Sequence, residues 1–374
     1  MSEMEIPAET IIRDKIDELR FSGDDAVAGE AARVLFEMAH FSHDDSEENK
    51  QNIASAGGVQ ALCKHLRSNS HEARYQTCSA LGELAFRNEG NCQLVVDTPD
   101  ALPALADMLA CSDGNNQEDA ALVINNCASF CEETAVKIVE CPGMLESLKL
   151  LATGRHVGAK NVSIGALNCL SRSSFVAKEL LEARVVEEAL VPVLEEKGRG
   201  EKHEVRRARA IMAVVNLTGN LPSMLSVSDR KLALSAIVRV LEFALDGRKW
   251  VGVSFTPYSV LYPLSHLARD ASNWEGLAEC GIIPQLMRFL REWTPGPRAD
   301  RSLLQALQIL GSLAQSTQSV PSTGEGEGIG GSLQGEAVVD ARVHTQLDRM
   351  RTGGGLGALQ MVVAQRRGGS AEGK

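Results

Sequence analysis

The chain has 374 residues, of which 44% are hydrophobic, 23% are charged and only 4% are aromatic. So few aromatic residues disfavour an immunoglobulin-like sandwich or a protein that binds nucleic acid by stacking bases. The formal net charge of −11 disfavours bulk attraction to phosphate backbones or anionic lipid. The composition favours a folded protein that is rich in Ala and Leu and mostly helical.

No targeting or membrane signal is recognised along the chain. Residues 1–5 are acidic, which argues against a secretory signal, and no apolar run approaches the roughly 20 residues that a membrane span needs. The 9 cysteines are odd in number and lack a framework spacing, which favours reduced thiols. We therefore expect a protein of the cytoplasm or the nucleus, without a membrane span.

Two motifs recur along the chain. The string SAGGVQALCKHL at residues 55–66 returns in related form at 97–109, 140–151 and 279–290, with turn positions at Gly58, Asp100, Gly143 and Arg184. A helix of small and apolar residues follows each string, and an upstream copy begins at Val34. Its matching apolar positions recur every 43 to 50 residues, at Leu35, Leu81, Ile124, Leu167, Val214, Leu264 and Leu310. Seven copies at one period indicate a repeat protein.

Each repeat reads as three helices. In the second repeat, a short helix at 48–53 ends at Gly57-Gly58, a second helix covers 60–66, and a longer third helix covers 72–85. Proline stands near the starts of second helices at Pro103, Pro192 and Pro284, where its missing N–H costs nothing. Because one such repeat cannot bury its own apolar face, the repeats must stack into a continuous core.

This pattern resembles the armadillo repeat family over residues 11–316. The resemblance implies an all-α, right-handed superhelical solenoid of about seven three-helix repeats plus a C-terminal capping segment. The fifth and sixth repeats are degenerate, with insertions at 195–204 and 246–257. The two-helix HEAT repeat is the nearest alternative, and the Gly turns between first and second helices favour armadillo.

The composition changes after the solenoid. Residues 317–336 are rich in Gly and Ser and predict a flexible linker. A literal GxGxxG at 326–331 lacks the strand and helix that a dinucleotide site requires. Residues 337–367 predict a partial last repeat that caps the stack, or alternatively a loose tail helix, and 368–374 predict a disordered tail.

No catalytic constellation is recognised. There is no GxSxG elbow, Walker loop or HExxH helix, and Cys127 and Cys131 have no second Cys or His pair to complete a metal site. We expect a protein that is not an enzyme, with no cofactor, metal, nucleic acid or small-molecule substrate.

In the armadillo family, third helices line a concave groove, where Asn amides clamp an extended peptide and Trp rings bracket its basic side chains. The resemblance puts Asn126 and Asn216 at the Asn position. The other repeats have Glu37, Glu83, Cys169, His266 and Ser312 there, and the three tryptophans fall outside third helices. Arg209, two turns before Asn216, is placed to pair with a carboxylate or phosphate. The candidate partner-binding residues are Glu83, Asn126, Arg209, Asn216 and His266. Alternatively, each Asn amide bonds the backbone of a neighbouring helix.

Charge is distributed unevenly along the solenoid. Residues 1–60 carry 14 acidic and 5 basic side chains, whereas residues 201–300 carry 10 and 13. The function we expect is that of a protein-interaction scaffold or adaptor that holds an extended peptide or a partner helix. The acidic early repeats suit a transport adaptor for basic cargo, but the missing Trp–Asn ladder argues against it. A regulatory module that clasps a folded enzyme or chaperone domain is the other alternative.

Overall fold

Helices account for nearly all of the regular structure. The computed structural model describes residues 6–40, 45–111, 113–129, 131–223, 225–295 and 299–315. Within these ranges the only strands are β1 (Lys249–Trp250) and β2 (Val253–Ser254), and 19 α-helices account for most of the rest. The all-α class is therefore confirmed. The linker expected at 317–336, the last repeat at 337–367 and the tail at 368–374 lie outside the described residues.

The chain divides into two compact units, Met1–Val240 with Lys249–Val253 and Leu241–Arg248 with Ser254–Lys374. In the first unit α1 and α2 make up the first repeat, and the next four repeats are α3–α5, α6–α8, α9–α11 and α12–α14. These helices are α1 (Ala8–Phe21), α2 (Asp25–Ala39), α3 (Ser46–Ser55), α4 (Gly58–Cys63), α5 (His71–Ala85), α6 (Glu89–Asp97), α7 (Ala101–Ala110), α8 (Gly114–Cys127), α9 (Glu132–Glu140), α10 (Met144–Thr153), α11 (Val157–Leu170), α12 (Ala177–Glu182), α13 (Val191–Glu195) and α14 (Glu201–Thr218).

The sixth repeat departs from the three-helix pattern. One long helix, α15 (Val227–Leu245), stands where two are expected, and β1 and β2 follow it. The third helix of that repeat is α16 (Pro257–Leu267), which contains Pro263. The seventh repeat regains three helices, α17 (Trp274–Glu279), α18 (Ile282–Glu292) and α19 (Ala299–Gln315). The degeneracy expected here is thus a fusion of the first two helices.

The turn between first and second helices has a left-handed backbone in five repeats. It falls on Gly57, not on Gly58 as the repeat spacing predicts, because Gly57 is the residue with positive φ, at 80°. Gly58 already belongs to α4, where an added Cβ would meet Ile53 Cγ2 at 2.5 Å. The equivalent residues, with φ between 56° and 81°, are Asp100, Gly143, Arg184 and Gly281.

The third helices supply the core and begin at polar caps. All seven matching apolar positions, from Leu35 to Leu310, are buried, none more than 7% exposed. Side chains that accept a backbone N–H begin five of these helices: Asp24 for α2, Ser70 for α5, Asp113 for α8, His156 for α11 and Thr256 for α16. Each cap satisfies a donor that the first turn of a helix would otherwise leave unpaired.

The second helix of the fifth repeat contains a π-turn. Residues 186–190 form it, with the Val191 N–H bonded to the Val186 carbonyl, and α13 continues directly with Pro192 in its first turn. Proline has no N–H to donate and its ring crowds the carbonyl four residues earlier. The wider π-turn relieves that crowding, so Pro192 lies inside a continuous helical segment that begins before it.

Candidate functional site

A surface formed by third helices dominates the first unit. Helix α2 packs on α5, α5 on α8, α8 on α11, and α11 on α14. Each helix buries one side and leaves a stripe of partly exposed residues at helical spacing. We call these stripes together the third-helix face. Its residues are Glu30, Arg33 and Glu37 on α2; Glu72, Tyr75, Gln76, Ser79 and Glu83 on α5; Asn115, Glu118, Asp119, Leu122 and Asn125 on α8; Asn161, Val162 and Cys169 on α11; and Arg209 on α14.

Glu83 is engaged with a buried lysine. Its Oε1 lies 3.4 Å from Lys50 Nζ, and the lysine side chain is only 1% exposed. An uncompensated ammonium at that depth would be costly, so Glu83 stabilises α3 against α5. Glu83, one of the predicted partner-binding residues, thus forms a structural ion pair.

Asn126 takes part in a chain of amides between two helices. Its Nδ2 donates to the Gly82 carbonyl of α5 at 2.9 Å, and its Oδ1 accepts from Asn125 Nδ2 at 3.2 Å. Asn125 Oδ1 in turn accepts from Arg209 Nη2 at 2.9 Å. This chain of hydrogen bonds links α5, α8 and α14. The Asn126 amide bonds the backbone of a neighbouring helix, which is the alternative left open above.

Arg209 extends across one whole helix to reach Asn125. Besides that bond, its Nη1 donates to the Asn161 carbonyl of α11 at 3.1 Å. Burial lowers the pKa of the guanidinium, and the nearby Arg172 lowers it further. Because both acceptors are neutral oxygens, they satisfy donors of Arg209 without neutralising its charge.

Gly165 makes this geometry possible. A Cβ at this position would lie 1.5 Å from Arg209 Nη2 and 2.6 Å from Asn125 Oδ1. On the same helix, a Cβ at Gly158 would lie 1.6 Å from Glu118 Oε2. The two glycines therefore let side chains from α8 and α14 cover α11.

The remaining two predicted residues differ in their surroundings. Asn216 is 8% exposed; its Nδ2 donates to Ser171 Oγ at 2.9 Å, and its buried Oδ1 has no hydrogen-bond partner among the residues that the structure describes. His266 belongs to the second unit, on α16, where its ring packs edge-on against Tyr262 with centroids 4.8 Å apart. Burial and the nearby Arg269 lower the pKa of His266, so the ring is neutral near pH 7.

Asp119 lies seven residues before Asn126, as Arg209 lies seven before Asn216. Burial, with Glu118 as a like charge, raises the pKa of Asp119 to about 7. Its Oδ2 is buried and has no hydrogen-bond partner in the described part of the chain. The third-helix face thus changes from a carboxylate on α8 to a guanidinium on α14. Asp119 was not among the residues predicted from the sequence, although its offset of seven from Asn126 matches that of Arg209 from Asn216.

A separate cleft lies between the third and fourth repeats. It encloses about 600 Å³, and its walls include Leu109, Gln117, Leu150 and His156. Leu150 is 71% exposed, which is unusual for a leucine in the middle of a helix. The cleft lies among α7, α10 and the starts of α8 and α11.

Three further features bear on chemistry. All nine cysteines are free thiols, and five of them are buried, at most 8% exposed. Among the described residues, no three His, Cys, Asp or Glu side chains are placed to hold a metal ion. No helix in the described ranges is long and apolar enough to cross a membrane.

Comparison with known proteins identifies the repeat. Residues 46–86, which span α3 to α5, match the Armadillo/beta-catenin-like repeat family. An engineered protein from the Northeast Structural Genomics Consortium is 23% identical, with a TM-score of 0.54 over 81% of this chain and 68% of that one. A designed armadillo repeat protein in complex with the peptide (KR)4 is 18% identical, with a TM-score of 0.48 over 81% and 99%. No curated protein sequence matches the chain.

Proposed function

Because this chain is an armadillo-type solenoid, we propose that it is a non-enzymatic scaffold whose third-helix face binds an extended segment of a partner protein. The observation that carries the proposal is the alignment of exposed stripes on consecutive third helices. An extended peptide lying across them meets one stripe per repeat, and each stripe can contact a few of its side chains.

The exposed apolar residues of the third-helix face support this function. Tyr75 on α5 is 39% exposed and Leu122 on α8 is 40% exposed. Both stand among polar residues, a mixture typical of the centre of a binding surface. Acidic residues beside them, Glu72, Glu118 and Asp119, favour a partner segment that combines apolar and basic side chains in this part of the face.

A transport adaptor for basic cargo receives less support. At the position where such adaptors carry Trp, four residues before the Asn position, α5, α8, α11 and α14 carry Ser79, Leu122, Gly165 and Met212. The tryptophans Trp250 and Trp274 are instead held in packing contacts, the first 1% exposed and the second bonded to the Ala268 carbonyl at 2.7 Å. We expect the protein to act in the cytoplasm or nucleus, which the free thiols support.

The test uses peptides selected on the protein itself. Random 12-residue peptides displayed on phage are selected against the full chain, and the affinities of the best peptides are measured by fluorescence anisotropy. We expect Leu122→Gln to weaken binding about tenfold, since an apolar contact at the centre of the face is lost. Helical content, followed by circular dichroism, should not change.

Leu181→Gln provides the matched control. Leu181 on α12 is 42% exposed, nearly the same as Leu122, but it lies on a first helix. Binding of the selected peptides should be unaffected by this change. If Leu181→Gln weakens binding and Leu122→Gln does not, the third-helix face is not the binding surface.

The cleft beside Leu150 favours a second candidate function, in which the protein clasps a folded domain or a helix. Such a partner would bury Leu150 and the walls of the cleft among α7 and α10. If the peptides selected above bind through this cleft, Leu150→Gln weakens their binding and Leu122→Gln leaves it unchanged.

A further inference from the structure

Arg209 and Arg172, both on the first unit, have no carboxylate partner among the described residues. No Asp or Glu oxygen of the described residues comes within 4 Å of either guanidinium, and the charge of Arg172 acts unfavourably on Arg209. Arg206, one turn before Arg209 on α14, differs in this respect, because it pairs with Glu196 at 2.8 Å. The fold therefore neutralises Arg206 and leaves Arg209, on the same helix, without a carboxylate counter-ion among the described residues.

A continuous row of polar atoms joins the two arginines. Arg172 Nη2 donates to the Ser129 carbonyl at 3.5 Å, Ser129 Oγ lies 3.1 Å from Cys169 Sγ, and Cys169 Sγ lies 3.9 Å from Asn125 Oδ1. Asn125 Oδ1 accepts from Arg209 Nη2. These groups come from the end of α8, the end of α11 and the middle of α14, so packing of three repeats holds them in place.

Arg209 keeps donors available for a ligand. A guanidinium has five N–H groups, and Arg209 gives one to the Asn161 carbonyl and one to Asn125. The other three N–H groups have no acceptor in the part of the chain that the structure describes. Because Gly165 has no side chain, the guanidinium fits against α11, where its two hydrogen bonds hold it, which lowers the cost of ordering it when a ligand binds.

We infer that Arg209 and Arg172 form an anion-recognition point on the third-helix face, which binds an acidic or phosphorylated side chain of the partner segment. This inference rests on the function proposed above. Carboxylate and phosphate share the oxygen geometry that a guanidinium fork recognises. Together with the carboxylates of α5 and α8, the site selects a segment with basic and apolar residues at one end and an anionic residue at the other.

The test compares three versions of the same peptides. A cellulose array of 12-residue peptides is synthesised with Ser, phosphoserine or Glu at each scanned position, and is probed with the full chain. We expect phosphoserine or Glu to increase binding about tenfold over Ser at one end of the bound peptides, in line with a charge-assisted hydrogen bond. The increase should disappear in both Arg209→Gln and Arg172→Gln. Glu as effective as phosphoserine indicates a carboxylate ligand, and phosphoserine alone indicates a phosphate.

Two control variants separate position from charge. Arg13→Gln removes an exposed cation from α1 and should leave the anion preference unchanged. Gly165→Ala keeps both arginines but displaces the Arg209 guanidinium, and should reduce the preference. Circular dichroism melting of each variant checks that it is folded.

The outcomes distinguish this inference from the proposed function. The anion site is overturned if the three peptide versions bind equally, or if the anion preference survives in either arginine variant. The proposed function still stands in that case, provided that Leu122→Gln weakens peptide binding. If Leu122→Gln weakens the binding of none of the peptide versions, the proposed function is overturned as well.

Discussion

Helices α8 and α11 are neighbouring third helices with the same place in the repeat, yet they present opposite surfaces. Helix α8 exposes Leu122 and part of Glu118, with the half-buried Asp119 beside them. Helix α11 contributes only Asn161, Val162 and Cys169 to the third-helix face, and its Gly158 and Gly165 are covered by side chains from α8 and α14. The chemistry of a solenoid surface is therefore set by neighbouring repeats as much as by the helix beneath it.

The largest expected effect comes from the buried apolar residues of α8 and α11, since both helices contribute such a residue to the core. Ile124 on α8 and Leu167 on α11 are at most 1% exposed. Ile124→Asp and Leu167→Asp would each bury an unpaired charge, and each should lower the free energy of unfolding by about 3–5 kcal/mol. Thermal melts followed by circular dichroism measure the loss. Leu122→Asp, at a 40% exposed position on α8, is the control and should cost less than about 1 kcal/mol.

Asp119 should make the stability of α8 depend on pH. Its pKa of about 7 in the folded protein exceeds the usual value near 3.8, so protonation favours the folded state. The cost of ionising Asp119 is therefore present above pH 7, and it disappears as the pH falls from 7 toward 4. Asp119→Asn should raise the free energy of unfolding at pH 8 by about 1–2 kcal/mol, allowing for solvent screening, and change it little at pH 4.5.

The control for Asp119 is its neighbour. Glu118→Gln removes one negative charge from a side chain that is 41% exposed, and the same pH series should show a much smaller effect. Urea unfolding at several pH values provides the comparison. A gain from Asp119→Asn that is equal at pH 4.5 and pH 8 would contradict the assigned cause.

The two glycines of α11 should respond with opposite sign to alanine. Alanine is favoured over glycine within a helix by up to about 1 kcal/mol. At Gly158 the obstructing Glu118 carboxylate can turn toward solvent, so Gly158→Ala should be stabilising. At Gly165 the new Cβ displaces a guanidinium that makes two hydrogen bonds, so Gly165→Ala should destabilise by about 1 kcal/mol. Equal shifts in melting temperature for the two variants would show that Arg209 is not held as described.

The smallest expected effects concern the two asparagines. Asn126→Ala removes the bond to the Gly82 carbonyl and should cost about 1 kcal/mol. Asn216→Ala should cost less, because it also removes the buried Oδ1 that has no partner. Melting temperatures measured alongside peptide affinities decide whether these amides stabilise the fold or bind the partner. A loss of affinity at unchanged melting temperature would assign them to ligand binding.

The sequence predicted most of the fold because the repeat signal is local. Apolar spacing places Leu81 and Leu167 in the core, and Asp100 and Gly143 mark turns that the structure confirms. The third helix expected at 72–85 is observed as α5 (His71–Ala85). The turn falls on Gly57 and not on Gly58 because the repeat spacing does not distinguish between two adjacent glycines.

The details of the third-helix face were harder to predict, because they depend on contacts between distant residues. Arg209 and Asn125 are 84 positions apart and meet only because α11 offers Gly165 between them. No periodicity in a single repeat encodes that contact. The fusion of two helices into α15 was equally hard to predict, since the degenerate stretch lacks the left-handed turn that separates the first two helices in five other repeats.

Photo-crosslinking tests most directly whether a partner segment lies on the third-helix face. Benzoylphenylalanine is introduced in place of Ser79 on α5, and separately in place of the exposed Glu132 on the first helix α9. Each protein is irradiated with a peptide selected on the full chain, and the products are identified by mass spectrometry. We expect efficient crosslinking from position 79 and background levels from position 132. Crosslinking from position 132 without crosslinking from position 79 would show that the partner segment does not lie on the third-helix face.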